Sequence, residues 1–184
     1  MAAPKLNPAF TLRVYISKDT ALNLNTVKSG PSRIISPLTH GFLEGPGLKA
    51  DILPGGSDWI LHNPTTNTIH IDVRTQARTP DGHGFYIHYD GILKLDEAGE
   101  KVLGWKEGAQ PTQFGDTEWF NSPILETSHP EYKWVEEAWF LGQGRWVVDE
   151  EGRAVEYRVF LGGELGLHLV VYWGMGMGDL DLAG

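Results

Sequence analysis

The sequence predicts an all-β protein, an antiparallel barrel or sandwich, and three observations carry that expectation. Glycine (23 residues) and proline (11 residues) fall between short apolar runs, so turn signals recur about every ten residues. No window of helical length repeats its apolar residues at a period of 3.6. Connections between the runs are short, which lets sequential strands pair as neighbours. At 184 residues, 41% of them hydrophobic, the chain suffices for one domain, 1–184, with a sizeable core.

The expected strands are, in order, "FTLRVYIS", "RIISPLT", "GFLEG", "LKADIL", "DWILH", "TIHIDVRTQAR", "FYIHYDGILKL", "EWFNSPILET", "EEAWFLG", "RWVVD", "AVEYRVFL" and "LGLHLVVYWG". Between "LKADIL" and "DWILH", Gly55 and Gly56 read as a turn that Asp58 caps. One short helix is expected at "SHPEYKW", with Ser128 as N-cap, Glu131 at the capping-box spacing and Pro130 in the first turn. The Gly-rich tail beyond Trp173 reads as irregular.

The stretch Thr68 to Asp90 allows a sharper inference. In "TPDGH", Pro80 and Asp81 suit the centre of a type I turn and Gly82 the left-handed residue after it. This three-residue loop pairs Thr79 with His83, and the register then follows. Arg74 faces His88, Gln76 faces Tyr86 and Asp72 faces Asp90, while Val73 meets Tyr89, Thr75 meets Ile87 and Ala77 meets Phe85. One face is polar and ionisable, the other mostly apolar, and a slip of one residue would mix them. Directly opposed side chains lie roughly 5 Å apart at Cβ, so Asp72, Arg74, His88 and Asp90 form one network in this register.

Composition excludes several classes. The net charge is −9 with a pI near 5.2, and no Lys/Arg cluster rises against it, which disfavours a nucleic-acid partner. Cysteine is absent, which removes disulfides, thiolate metal sites and cysteine nucleophiles and fits a reducing compartment. The start "MAAPKLNPAF" has no apolar h-region and no run approaches a membrane span, so a cytoplasmic protein without a membrane partner is expected. There is no HExxH, no P-loop and no G-x-S-x-G, so neither a metal nor a cofactor is expected; His70 and Asp72 share a strand face but are two donors only.

The segments "GFLEGPGLKADILPGGSDWIL", "RTQARTPDGHGFYIHYDG" and "SPILETSHPEYKWVEEAWFLGQGR" together resemble the family known as domain of unknown function 3237. The similarity spans Phe10 to Phe160 (the family-like barrel, 10–160), leaving 161–184 as a C-terminal extension. The resemblance implies a calycin- or lipocalin-like antiparallel β-barrel that is a homo-oligomer. It places Asp58 and Trp59 after the double glycine, Arg74 before the turn, Tyr86 after it, and Glu126, Tyr132 and Trp134 around the short helix. His88 stands where an arginine is common in the family, and Tyr89 where asparagine is common. For fungal barrels of this kind it implies a role in secondary metabolism, on a polyketide- or terpenoid-like small molecule.

The chemistry these residues fit is cofactor-free acid–base catalysis, as in an isomerase, cyclase or lyase. A histidine beside an arginine and a carboxylate moves protons near neutral pH while the guanidinium stabilises an enolate or carboxylate. His88 is then the acid or base, Asp72 its orienting partner, Arg74 the oxyanion stabiliser and Tyr86 a proton or hydrogen-bond donor. His40, Asp58, Trp59, Glu126, Tyr132 and Trp134 are candidates for holding the substrate. This assignment requires the polar face of the hairpin to line an enclosed, water-poor chamber. The alternatives are a carrier that holds a ligand inside its barrel, and a structural oligomerisation module whose barrel is filled by apolar side chains.

Overall fold

A computed structural model of the chain describes residues 5–163 apart from 20 and 29. The strand expected at "LGLHLVVYWG" and the irregular tail lie outside the described residues. The elements are β1 (Leu6–Ile16), β2 (Leu22–Leu24), β3 (Ser32–Gly45), β4 (Leu48–Asn63), β5 (Thr68–Arg78), β6 (Gly84–Lys94), α1 (Glu97–Leu103), β7 (Trp119–Thr127), a 3₁₀ helix (Pro130–Glu137), β8 (Phe140–Asp149) and β9 (Gly152–Gly162). The strand order is β1-β9-β8-β7-β6-β5-β4-β3-β2, and β1 also pairs with β3. That last pairing closes eight strands into an antiparallel β-barrel, with β2 added outside at one end of β3. No helix among the described residues is long and apolar enough to cross a membrane.

Several expected strands fuse. "RIISPLT" and "GFLEG" are one strand, β3, whose register breaks between Pro37 and Phe42. "LKADIL" and "DWILH" are likewise one strand, β4, so Gly55 and Gly56 sit in a bulge and not in a turn. The step from Leu53 to Ser57 on β4 is matched by the step from Gln76 to Arg74 on β5. Both steps are even, so Ile52, Asp58 and Ile60 keep the same inward face on either side of the bulge.

The central hairpin has the expected register, with Asp72↔Asp90, Arg74↔His88 and Gln76↔Tyr86 in the ladder. Thr79 N donates to His83 O at 2.9 Å, Gly82 N donates to Thr79 O at 2.9 Å, and Gly82 takes φ +96°. The face that the register turns inward is the apolar one. Val73, Ala77, Phe85, Ile87 and Tyr89 are all buried, whereas Arg74, Gln76, Tyr86 and Asp90 are exposed. The polar row is therefore the outer surface of the barrel and does not line an enclosed chamber.

The reason lies in what fills the interior. Eight strands enclose a space just wide enough for side chains, and here Trp119, Trp146, Tyr89, Tyr157 and Phe140 occupy it, none more than 2% exposed. Burying side chains of this size contributes about 1.5–3 kcal/mol each, which no row of ionised groups matches. Close approach is needed where they pack. A Cβ on Gly144 would meet the Trp119 ring at 2.4 Å. Among the described residues, a void bordered by Asp58, Trp119 and Trp146 measures about 20 Å³, room for about one water molecule.

Helices cover the ends. α1 begins at Asp96, whose side chain accepts from Gly99 N at 2.8 Å, and it buries Val102. No expected element covers this segment, since the strand expected at "FYIHYDGILKL" ends at Leu95. The 3₁₀ helix is the expected short helix, but its N-cap is His129, which accepts from Glu131 N; Ser128 Oγ instead accepts from Gly84 N at 2.9 Å. Trp134 stacks on Phe10 (ring centroids 5.9 Å apart), and the Tyr132 hydroxyl donates to Pro46 O.

Candidate functional site

With the interior filled, the concave feature that gathers ionisable groups is a groove of about 460 Å³ on the outer face of the sheet. Arg33, Trp59, Leu61, His70, Asp72 and Asp90 line it. The ladders explain the gathering. β3 lays Arg33 against Leu61, β4 lays Leu61 against His70, and β5 lays Asp72 against Asp90. Trp59 is 43% exposed and forms one wall, and Arg33 is held by a hydrogen bond from Nη1 to the Trp59 carbonyl.

Beside the groove sits the cluster that the hairpin register predicts. Arg74 Nη1 is ion-paired to Asp72 Oδ1. His88 Nε2 lies 3.6 Å from Asp72 Oδ1 and 3.6 Å from Asp90 Oδ2. Of these four side chains His88 is the most enclosed, with 18% exposure against 52% for Arg74 and 72% for Asp90. Its Nε2 is shielded from solvent and has no hydrogen-bond partner at ordinary distance. Two carboxylates flank that nitrogen, and a substrate oxyanion would meet Arg74.

Asp58 approaches the same strand from the other side of the sheet. It faces the interior, where its carboxyl borders the small void with Ser36, Trp119 and Trp146, and its Oδ1 accepts from Asp72 N at 3.3 Å. Burial raises its pKa to about 8; the hydrogen bond from Asp72 N opposes the rise, and the Asp72 charge adds to it. Around it lie Tyr89 and Tyr157, whose hydroxyls burial holds well above the ordinary phenol range. Sequence reasoning did not single out Tyr157 or Asn121 as part of this interior cluster. The signal was present in the inward alternation of β7 and β9, but their facing could not be fixed without barrel closure.

The remaining predicted residues disperse. Tyr86 and Glu126 are paired on the outer face, farther along β6 and β7. Tyr132 and Trp134 belong to the helix that closes one end and are packed against the core. His40 stacks on Tyr15 with centroids 4.3 Å apart and lies 3.3 Å from Glu151, in a separate outer cluster. The groove adds residues that were not candidates, among them Arg33 and Leu61, which depend on pairing across the irregular β3–β4 ladder.

Two groups of described residues bring three metal-type donors within 4.8 Å of one another, Asp72–His88–Asp90 and Asp81–His83–His129. Neither is well prepared for a cation. In the first, Arg74 already neutralises Asp72. In the second, His129 Nδ1 accepts from Glu131 N, which leaves the ring proton on the nitrogen facing Asp81.

Comparison with known proteins agrees with the barrel. The chain is 27% identical over 135 residues to PR-toxin biosynthesis cluster protein 7 of Penicillium roqueforti, covering 70% of this chain and 71% of that protein. Its fold matches the crystal structure of a protein of unknown function from Rhodopseudomonas palustris with TM-score 0.74 and 22% identity, over 88% of this chain and 99% of that one. It also matches an enzyme from Penicillium herquei with TM-score 0.56 and 14% identity, over 86% of this chain and 96% of that one. A family model covers residues 4–161, and the chain accordingly belongs to the family described as protein of unknown function (DUF3237).

Proposed function

We propose that the protein is a cofactor-independent enzyme of secondary metabolism, an isomerase, cyclase or lyase, whose substrate lies in the outer groove and itself covers the ionic cluster, in place of the enclosed interior chamber that the sequence leads us to expect and that side chains fill. The observation that carries this reading is the unpartnered His88 Nε2, set between Asp72 and Asp90 and beside Arg74 at the edge of a groove large enough for a small polycyclic molecule. His88 takes or gives the proton, Asp72 and Asp90 flank its ring, and Arg74 and Arg33 face a developing enolate or a carboxylate on the substrate. Trp59 offers a flat apolar wall for stacking. Supporting context comes from the relative in a toxin biosynthesis cluster and the fold shared with a Penicillium enzyme. A carrier of the lipocalin kind has no comparable support, since the interior void is about 20 Å³.

The test is turnover of a panel of enolisable polyketide-type and terpenoid-type compounds, followed by chromatography with mass detection. His88→Ala should lower the rate by about 10²-fold or more, the usual worth of a positioned acid or base. Arg74→Ala should cost a similar factor. Undiminished turnover in both variants would remove the assignment.

A further inference from the structure

We propose that His70 is a second acid–base residue of the outer groove, at the opposite end from His88, and that the substrate is an elongated flat molecule that loses a proton at one end and gains one at the other. The inference rests on reading the groove as a reaction site. It adds a residue that has no part in the chemistry so far, and it sets the shape of the molecule that both histidines can reach.

The first argument is position. His70 lines the groove, is exposed, and forms no hydrogen bond, ion pair or ring contact among the described residues. Nothing in the described fold occupies its ring, so both ring nitrogens are free for a ligand. The ladders put His70 in one row with Arg33, Leu61 and Ile92, and His88 in another row with Arg74. Between the two rows lie Trp59, Asp72 and Asp90. Asp72 pairs with Asp90, and the register that sets Asp58 against Val73 sets Trp59 against Asp72. Each end of the groove therefore has an imidazole and a guanidinium, with the carboxylates and the indole wall in the middle.

The second argument is distance. His70 is opposite Ile92, which follows His88 by four residues along β6, about 13 Å of strand. A proton donor or acceptor works at about 3 Å, so no single atom of a substrate meets both rings. One molecule reaches both only if it extends on the order of 10 Å, as fused aromatic rings do. The groove suits that shape. A ring stacked on Trp59 turns its positive edge toward Asp72 and Asp90, and Leu61 and Ile92 give it apolar contact beside His70. Arg33 is held through Nη1 alone, which leaves Nε and Nη2 for an oxygen at the His70 end, as Arg74 serves the His88 end.

The chemistry is a remote isomerisation. A C–H bond breaks at one end of the molecule and its proton passes to the imidazole there. The electron pair moves through the conjugated rings, and a C–H or O–H bond forms at the other end with the proton of the second imidazole. Atoms and charge balance without an oxidant or a reductant, and water at the open groove returns both rings to their starting forms. One histidine acting alone would have to carry the proton along the whole molecule.

The experiment titrates the full chain by NMR with a naphthalene dicarboxylate whose acid groups lie at opposite ends of the long axis, and with the corresponding monocarboxylate. The dicarboxylate should bind about tenfold more tightly than the monocarboxylate and shift the ring signals of His70 and His88 along one saturation curve. Arg33→Ala/His70→Ala should bring its affinity down to that of the monocarboxylate. His70→Gln keeps a hydrogen-bond donor but cannot carry a proton. It should retain the dicarboxylate and lower the turnover of a panel compound by about 10²-fold. A dicarboxylate that binds no better than the monocarboxylate, or that shifts only one of the two rings, would overturn the proposal. So would full turnover in His70→Gln beside lost turnover in His88→Ala, a result that leaves the reaction site standing. Full turnover in both His88→Ala and Arg74→Ala removes the site itself, so the two failures are told apart.

Discussion

Asp58 shows how much a single residue's meaning depends on the side of the sheet it occupies. In "PGGSDW" it reads as a turn cap, yet the bulge at Gly55 and Gly56 keeps it inward and its carboxyl has a pKa near 8. Its ionisation is therefore linked to stability. A carboxyl whose folded pKa lies above its unfolded value holds its proton more tightly when folded, so folding is favoured while both states are protonated and loses ground as pH rises from about 4 to about 8. Asp58→Asn keeps the shape without the charge. It should flatten the loss of stability over that range and be more stable than the parent at pH 8.5 by roughly 2 kcal/mol. Urea denaturation of both proteins at several pH values measures this, and equal slopes would mean that Asp58 is ionised when folded.

The hairpin β5–β6 is where the sequence was most informative. Its turn is local chemistry, with Pro80, Asp81 and Gly82 each suited to one backbone conformation, and the Thr79 hydroxyl bonded to Asp81. The register of every cross-strand pair follows from it. Gly82→Ala places a side chain at φ +96° and should destabilise the protein by about 1 kcal/mol without altering the fold, as thermal unfolding will show. Which face turns inward was a different question. Alternation sorts residues into two sets but does not label them, and the label comes from the Trp and Tyr residues on strands up to seventy residues away. Helix α1 was missed for a related reason. Its seven residues carry too little periodicity to register, and its clearest signal was the Asp96 cap followed by the Glu97–Lys101 pair.

For the molecule as a whole, closure by β1 and β3 decides where chemistry can happen. A barrel of eight strands holds either side chains or one small ligand, and Trp119 and Trp146, packed at a tilt with centroids 4.4 Å apart, commit this one to side chains. Neither ring is identifiable as interior from its own strand. Each becomes so when Gly142 and Gly144 let β8 come close to β7. The filled interior makes a prediction that separates this protein from a ligand carrier. Trp146→Ala should cost about 3–5 kcal/mol, the usual penalty for emptying an aromatic site. Added indole should restore part of that loss by occupying the cavity, while leaving the wild type unaffected in the same denaturation experiment. If indole stabilises the wild type and Trp139→Ala removes that effect, the ligand is binding on the surface. If it stabilises the wild type and no surface substitution removes it, the barrel already has room for a guest, and the chemistry assigned to the outer groove returns to the interior.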